Sequence, residues 1–154
     1  DGGAFHLSST SGSAVFSLNN CDISGASAQN GGAVYASSAA VTIDGCTFTN
    51  NMASGSGGAV FAEKIVNGSF SVLGNKSTFD GNFASFIGGA IYLVSEYSLS
   101  ESCFESADFT NNKATNGAAI SCCDNNECNI TIVYDTEGSV TFENNYNSNS
   151  DGRD

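Results

Sequence analysis

Positive charge is nearly missing from this chain. Its 154 residues carry four basic side chains, Lys64, Lys76, Lys113 and Arg153, against 16 acidic ones, for a formal net charge of −12. That balance repels phosphate backbones and argues against a nucleic-acid partner. Anionic polysaccharides and anionic membrane surfaces are disfavoured for the same reason. Mutual repulsion also keeps a repetitive β surface dispersed in water. Histidine is reduced to His6. No apolar run approaches the roughly 20 residues of a membrane-spanning helix. The opening Asp1-Gly2-Gly3 has no signal-peptide pattern, so secretion would rely on a leader upstream or already removed. Proline and tryptophan are absent, whereas glycine numbers 18 and hydrophobic residues make up 40%, too many for a disordered composition.

What the chain does contain is a repeat. Gly-Gly-Ala followed by an apolar residue occurs at Gly2–Phe5, Gly31–Val34, Gly57–Val60 and Gly88–Ile91, with a variant at Gly117–Ile120. The second positions, residues 3, 32, 58, 89 and 118, are separated by 29, 26, 31 and 29 residues. A period of this size marks a stacked architecture whose product is a long surface rather than a pocket. Within one unit, Gly31–Ala36, Ala40–Ile43 and Cys46–Phe48 read as short strands separated by turn signals such as Asp44-Gly45. The expectation is an all-β parallel β-helix in a single domain over residues 1–154, with about five turns and three short strands per turn.

Superposing the units sorts the side chains. The column Phe5, Val34, Val60, Ile91, Ile120 is apolar throughout and faces inward. The next column, His6, Tyr35, Phe61, Tyr92, Ser121, is mixed and therefore faces outward. Tyr35, Phe61 and Tyr92 would form a flat aromatic stripe on three consecutive turns, suited to sugar rings or a partner surface. Stacking across strands is the plainer reading, since aromatic ladders also stabilise sheets under a neighbouring loop. Gly32, Gly58 and Gly89 fall where a narrow coil leaves little room. Ile23, Phe48, Phe79, Phe109 and Phe142 form an internal file. Three residues after each comes Ala26, Asn51, Asn82, Asn112 or Asn145, which predicts a ladder of side-chain amides at a corner.

Six cysteines fit an oxidising compartment. Cys21 and Cys46 stack inward on adjacent turns, and buried thiols suit that position better than a disulfide. Cys103, Cys122, Cys123 and Cys128 lie off the repeat register; a disulfide within the Cys122–Cys128 loop, or from it to Cys103, is expected there. A metal site is the alternative, but Cys-Cys-x4-Cys without histidine is not a zinc spacing, so neither metal nor cofactor is expected. Asn67, Asn75 and Asn129 open glycosylation sequons, common by chance in a chain rich in Asn and Ser.

These columns resemble the repeats of the chlamydial polymorphic membrane proteins, which alternate GGA(I/L/V) and FxxN. The first motif stands at Gly31–Val34, Gly57–Val60 and Gly88–Ile91, with departures at Phe5 and Ala118. The second stands at Phe48–Asn51, Phe79–Asn82, Phe109–Asn112 and Phe142–Asn145. The resemblance covers nearly the whole chain. It implies a right-handed β-helix, displayed outside the cell as the passenger of an outer-membrane autotransporter and acting in attachment to host-cell proteins or glycans. It also implies that this chain, which begins on one motif and ends at Asp151-Gly152 in phase with the next, is a piece of a longer passenger.

Polysaccharide lyases and hydrolases share such folds, but their chemistry needs clustered carboxylates beside a basic stabiliser. Lys64, Lys76, Lys113 and Arg153 share no column, and Asp44, Asp80 and Asp108 form no acid/base pair in the pattern. The reading is therefore non-catalytic attachment, with the longer inserts near residues 63–71, 95–107 and 122–129 as recognition elements. Subunits stacking end to end into filaments are the second reading, and a polysaccharide-active enzyme the third.

Overall fold

A computed structural model describes residues 2–10, 14–64, 70–95, 101–124, 129–133 and 138–148; for Glu101, Cys123, Asp124 and Asn129 it describes the backbone alone. Among these residues the chain forms strands and no helix, in four parallel sheets of five strands each. The first sheet holds Phe5–Ser8, Val34–Ser37, Val60–Glu63, Ile91–Ser95 and Ile120–Asp124. The second holds Ala14–Asn19, Ala39–Asp44, Phe70–Val72, Glu101–Phe104 and Asn129–Ile132. The third holds Asp22–Ser24, Thr47–Thr49, Ser77–Asp80, Ala107–Thr110 and Val140–Glu143. The fourth holds the two-residue strands Ser27–Ala28, Met52–Ala53, Phe83–Ala84, Lys113–Ala114 and Tyr146–Asn147.

The chain is thus a parallel β-solenoid. Each coil uses four strands, not the expected three, because the residues after each corner asparagine also pair between coils. Five strands per sheet amount to about four complete circuits between the first and last strand of a sheet, one fewer than the five turns expected.

Strand alternation places one residue in two inside. Val34, Val60 and Ile91 lie in register and are wholly buried, as are Phe48, Phe79 and Phe109. The phenylalanine rings stack face to face: 4.9 Å between Phe48 and Phe79, 4.8 Å between Phe79 and Phe109, and 5.1 Å between Phe109 and Phe142, with interplanar angles of 3°, 6° and 10°. Burying each ring stabilises the fold by roughly 1.5–3 kcal/mol. Cys21 and Cys46 stack as expected and remain thiols. Cys46 is fully buried, and burial pushes its thiol above the usual cysteine range despite hydrogen bonds with the Cys21 and Asp44 backbones.

Two kinds of constraint fix the Gly-Gly pair. Gly57 has φ 67°, in the left-handed region, and a Cβ there would also press on Val60 O and Phe61 Cβ. Gly58 has ordinary backbone angles, but its Cβ would meet the carbonyl of Gly89 one coil further on and the Phe83 backbone. Gly32 and Gly89 are confined in the same way, Gly89 by the carbonyl of Ala118. Ala118 sits in the last described coil, where no further described coil supplies that carbonyl.

The amide ladder closes the corner between the third and fourth sheets. Asn51, Asn82 and Asn112 are completely buried. Each Nδ2 donates to the Oδ1 of the next ladder residue, at 3.0, 3.0 and 2.9 Å, ending on Asn145. The backbone N–H groups of Asn51, Asn82 and Asn112 donate to the same oxygens. Each Nδ2, that of Asn145 included, donates back to a carbonyl of the aromatic file: Ile23, Phe48, Phe79 or Phe109. The ladder therefore satisfies buried groups that no strand pairs. The residue before it is Gly25, Asn50, Gly81, Asn111 or Asn144, always with φ between 53° and 64°. Glycine and asparagine are the residues that tolerate this conformation best.

Candidate functional site

The solenoid is least regular at one corner. Between the first and second sheets, the second coil turns on Ser38 alone, with φ 57°. In the third, fourth and fifth coils the chain leaves at Glu63, Ser95 and Asp124 and returns at Phe70, Glu101 and Asn129. All three expected recognition inserts begin at this corner; residues 65–69, 96–100 and 125–128 within them lie outside the described residues.

The expected aromatic stripe runs beside this corner on the outer face of the first sheet. His6, Tyr35, Phe61, Tyr92 and Ser121 pair in register. His6 and Tyr35 are 4.9 Å apart, Tyr35 and Phe61 stack at 5.5 Å and 7°, and Phe61 meets Tyr92 edge-on at 5.3 Å. The ladder is not an open platform, however. Phe61 is 7% exposed and Tyr92 9%, leaving Tyr35 as the half-buried member. The burial and the ring contacts agree with cross-strand stacking, the plainer of the two readings of this column. Phe61 and Tyr92 also sit tightly over the Gly-Gly corner, their Cβ atoms within 3 Å of where a Cβ on Gly57 or Gly88 would lie.

Tyr35 is tied down at its other end. Its hydroxyl donates to Glu63 Oε1 at 2.6 Å, and Ser37 Oγ donates to the same oxygen at 3.2 Å. Burial, reinforced by the hydrogen bond and negative charge of Glu63, pushes the Tyr35 phenol up to about 12. Glu63 thus braces one coil against the next at the root of the 63–71 insert.

A polar groove of about 480 Å³ lies over the corner between the second and third sheets, lined by Asn75, Lys76, Glu105, Ser106 and Gly138 among others. At its edge Lys76 Nζ pairs with Asp108 Oδ1 at 2.8 Å, and Thr141 Oγ1 donates to that oxygen at 2.6 Å. Burial alone would raise the Asp108 carboxyl, but these two bonds outweigh it and hold the group below the usual range. Asp80 is engaged separately, by Thr110 and Asn111. No group of three His, Cys, Asp or Glu side chains suited to a metal occurs among the described residues.

The remaining cysteines divide. Cys103 is a thiol on the outer face of the second sheet, so the disulfide reading that reached it is corrected. Cys122 pairs in register with Leu93 and packs on the core. Cys128 falls outside the described residues, as does the side chain of Cys123.

Residues 45–63, 76–93 and 106–123 each match the Chlamydia polymorphic membrane protein repeat. Three successive coils thus carry repeats of this family. No curated protein and no solved structure shows a significant match. Each polymorphic-membrane-protein repeat begins at the turn into the third sheet and continues through the amide ladder and the Gly-Gly corner into the first sheet. The irregular corner and the second sheet lie between the matched segments. The matched segments therefore carry the ladder, the aromatic file and the Gly-Gly corner, while the second sheet between them adds Phe70, Val72 and Phe104 to the same core.

One outward column escaped the sequence pattern. Ser27, Met52, Phe83, Lys113 and Tyr146 stand on the outer face of the fourth sheet, opposite wholly buried Ala53, Ala84 and Ala114. The signal is the residue that follows each ladder position, legible once the two-residue strand is recognised.

Proposed function

We propose that this chain is part of a surface-exposed, non-catalytic passenger that attaches to a host-cell protein or glycan. The observation that carries this reading is the segregation within each coil: one regular part matches the family repeat, and one corner carries the inserts. A rigid rod then presents variable segments along a single edge, which suits recognition of extended partners. An outer-membrane autotransporter is the setting that the family supports.

The second coil supplies the test, because Ser38 shows that the corner closes with a single residue. Replacing residues 64–69, 96–100 and 125–128 by one serine each should leave the far-ultraviolet circular dichroism of the solenoid unchanged. Beads coated with the shortened chain should lose attachment to cultured cells. Undiminished attachment with all three inserts gone would refute the assignment.

End-to-end assembly is the second reading. Open parallel edges accept a further coil, from the same chain or from another copy. Size-exclusion chromatography over a concentration series distinguishes the two; a constant monomer at every concentration rules out assembly by the chain alone.

A further inference from the structure

The outer column of the fourth sheet holds a cation in unusual company. Lys113 Nζ lies 5.9 Å from the ring centre of Phe83 on one neighbouring coil and 5.2 Å from that of Tyr146 on the other. Tyr146 is 48% exposed and Met52 49%, while Phe83 and Lys113 are half-buried. No carboxylate pairs with Lys113 among the described residues, although the chain carries 16 acidic side chains. Lys76, by contrast, is paired with Asp108. The two rings flank the ammonium and keep a cationic point open on an otherwise acidic rod.

We propose that this column binds the end of a glycan bearing a single carboxylate, a uronic or sialic acid, with two adjacent sugar faces on Phe83 and Tyr146 and the carboxylate on Lys113. The proposal rests on the surface-recognition reading above and deepens it by naming a ligand class. Charge complementarity selects the ligand: an ammonium with no carboxylate partner among the described residues suits one carboxylate, whereas a polyanion would meet the repulsion of the whole chain. The two rings stand two coil steps apart, roughly 10 Å, one on each side of Lys113, so that the acidic sugar and the residue next to it can each lay an apolar face on a ring. Hydroxyl and amide side chains border it in sequence on both sides: Asn50, Asn111 and Asn144 before the strands, Ser54, Ser85 and Thr115 after them. An extended peptide is less suited, because the strands of this sheet already spend their hydrogen bonds on one another.

The test is titration calorimetry of the whole chain with 3′-sialyllactose, a glucuronic-acid-terminated disaccharide and neutral lactose. At least one acidic sugar should bind and lactose should bind more weakly. Lys113→Gln should remove that preference, about a tenfold loss for the acidic ligand. Tyr146→Ala should weaken all three, and Lys76→Gln should change nothing. Lys113 and Tyr146 lie on the surface, so unchanged thermal melting identifies these as binding effects even if Phe83→Ala fails to fold. Equal binding of acidic and neutral sugars, equal loss in Lys76→Gln, no binding of any probe, or capture of an acidic peptide in place of the sugars would overturn the proposal. Cell attachment that survives Lys113→Gln with no acidic-sugar binding discards this site while leaving the surface-recognition reading intact.

Discussion

Asn82 stands at the middle of the amide ladder, and its replacement tests whether the ladder supports the fold. Its Oδ1 accepts from the backbone N–H and the Nδ2 of Asn51, each at 3.0 Å; its own Nδ2 donates to Phe48 O and to Asn112 Oδ1. Asn82→Ala leaves the Asn51 N–H and the Phe48 carbonyl without these partners, inside a corner where Asn51 and Phe48 are wholly buried. At about 1–3 kcal/mol for each buried group left unsatisfied, the loss is about 2–6 kcal/mol. That is a large share of the 5–15 kcal/mol typical of a folded domain. Asn82→Asp is nearly isosteric, but it faces a second oxygen toward the two acceptors that Nδ2 now serves. Burial disfavours the ionised carboxyl and raises its folded-state pKa above the unfolded value of about 3.9. A raised pKa means stability is retained below the unfolded value and lost as pH rises through the folded one. The deficit of Asn82→Asp relative to the unmodified chain should therefore be smaller at pH 4 than at pH 7.5. Urea denaturation followed by circular dichroism measures both, with the unmodified chain as reference at each pH because its own carboxylates titrate. A loss below about 1 kcal/mol in Asn82→Ala, or an equal Asn82→Asp deficit at both pH values, would refute the reasoning.

Three further outcomes follow from the same geometry. Phe79→Ala removes a fully buried ring stacked on both sides and should lower stability by about 3–5 kcal/mol in the same assay. Gly58→Ala should prevent folding or destabilise more than Gly25→Ala, because a Cβ at Gly58 meets backbone of the next coil whereas one at Gly25 meets nothing within 4 Å and bears only the left-handed penalty of about 1–2 kcal/mol. Ultraviolet titration should show one tyrosine ionising near pH 12, lowered but not normalised by Glu63→Gln because burial remains. The raised Tyr35 value makes its stabilising contribution complete below pH 10 and lost as pH climbs toward 12.

Direction is what a column of residues reports most faithfully. The inward Val34, Val60 and Ile91, the aromatic file and the ladder asparagines were legible because each position repeats one chemistry from the second coil onward. The family repeat was legible for the same reason, since its motifs are the packing contacts themselves. Exposure was legible only as a choice between an open stripe and a covered stack: Phe61 and Tyr92 are buried, as the stack requires, but alternation carries no information about neighbours beyond the sheet. The fourth sheet was missed because two residues are too few to show a period. Its Met52, Phe83, Lys113 and Tyr146 share no chemistry, so nothing in the pattern marked them as one surface. The left-handed corner was available in the sequence, as glycine or asparagine before every ladder position.

The amides of the ladder all point the same way along the rod. Cut between two coils such as those of Asn51 and Asn82, and one face shows two N–H groups and the Phe48 carbonyl, while the other shows the Oδ1 that receives the pair and the Nδ2 that donates back. Each face is the mould of the other and of nothing else. Coils can therefore be appended or rejoined in a single sense, and the rod has a built-in head and tail that its sheets alone would not impose.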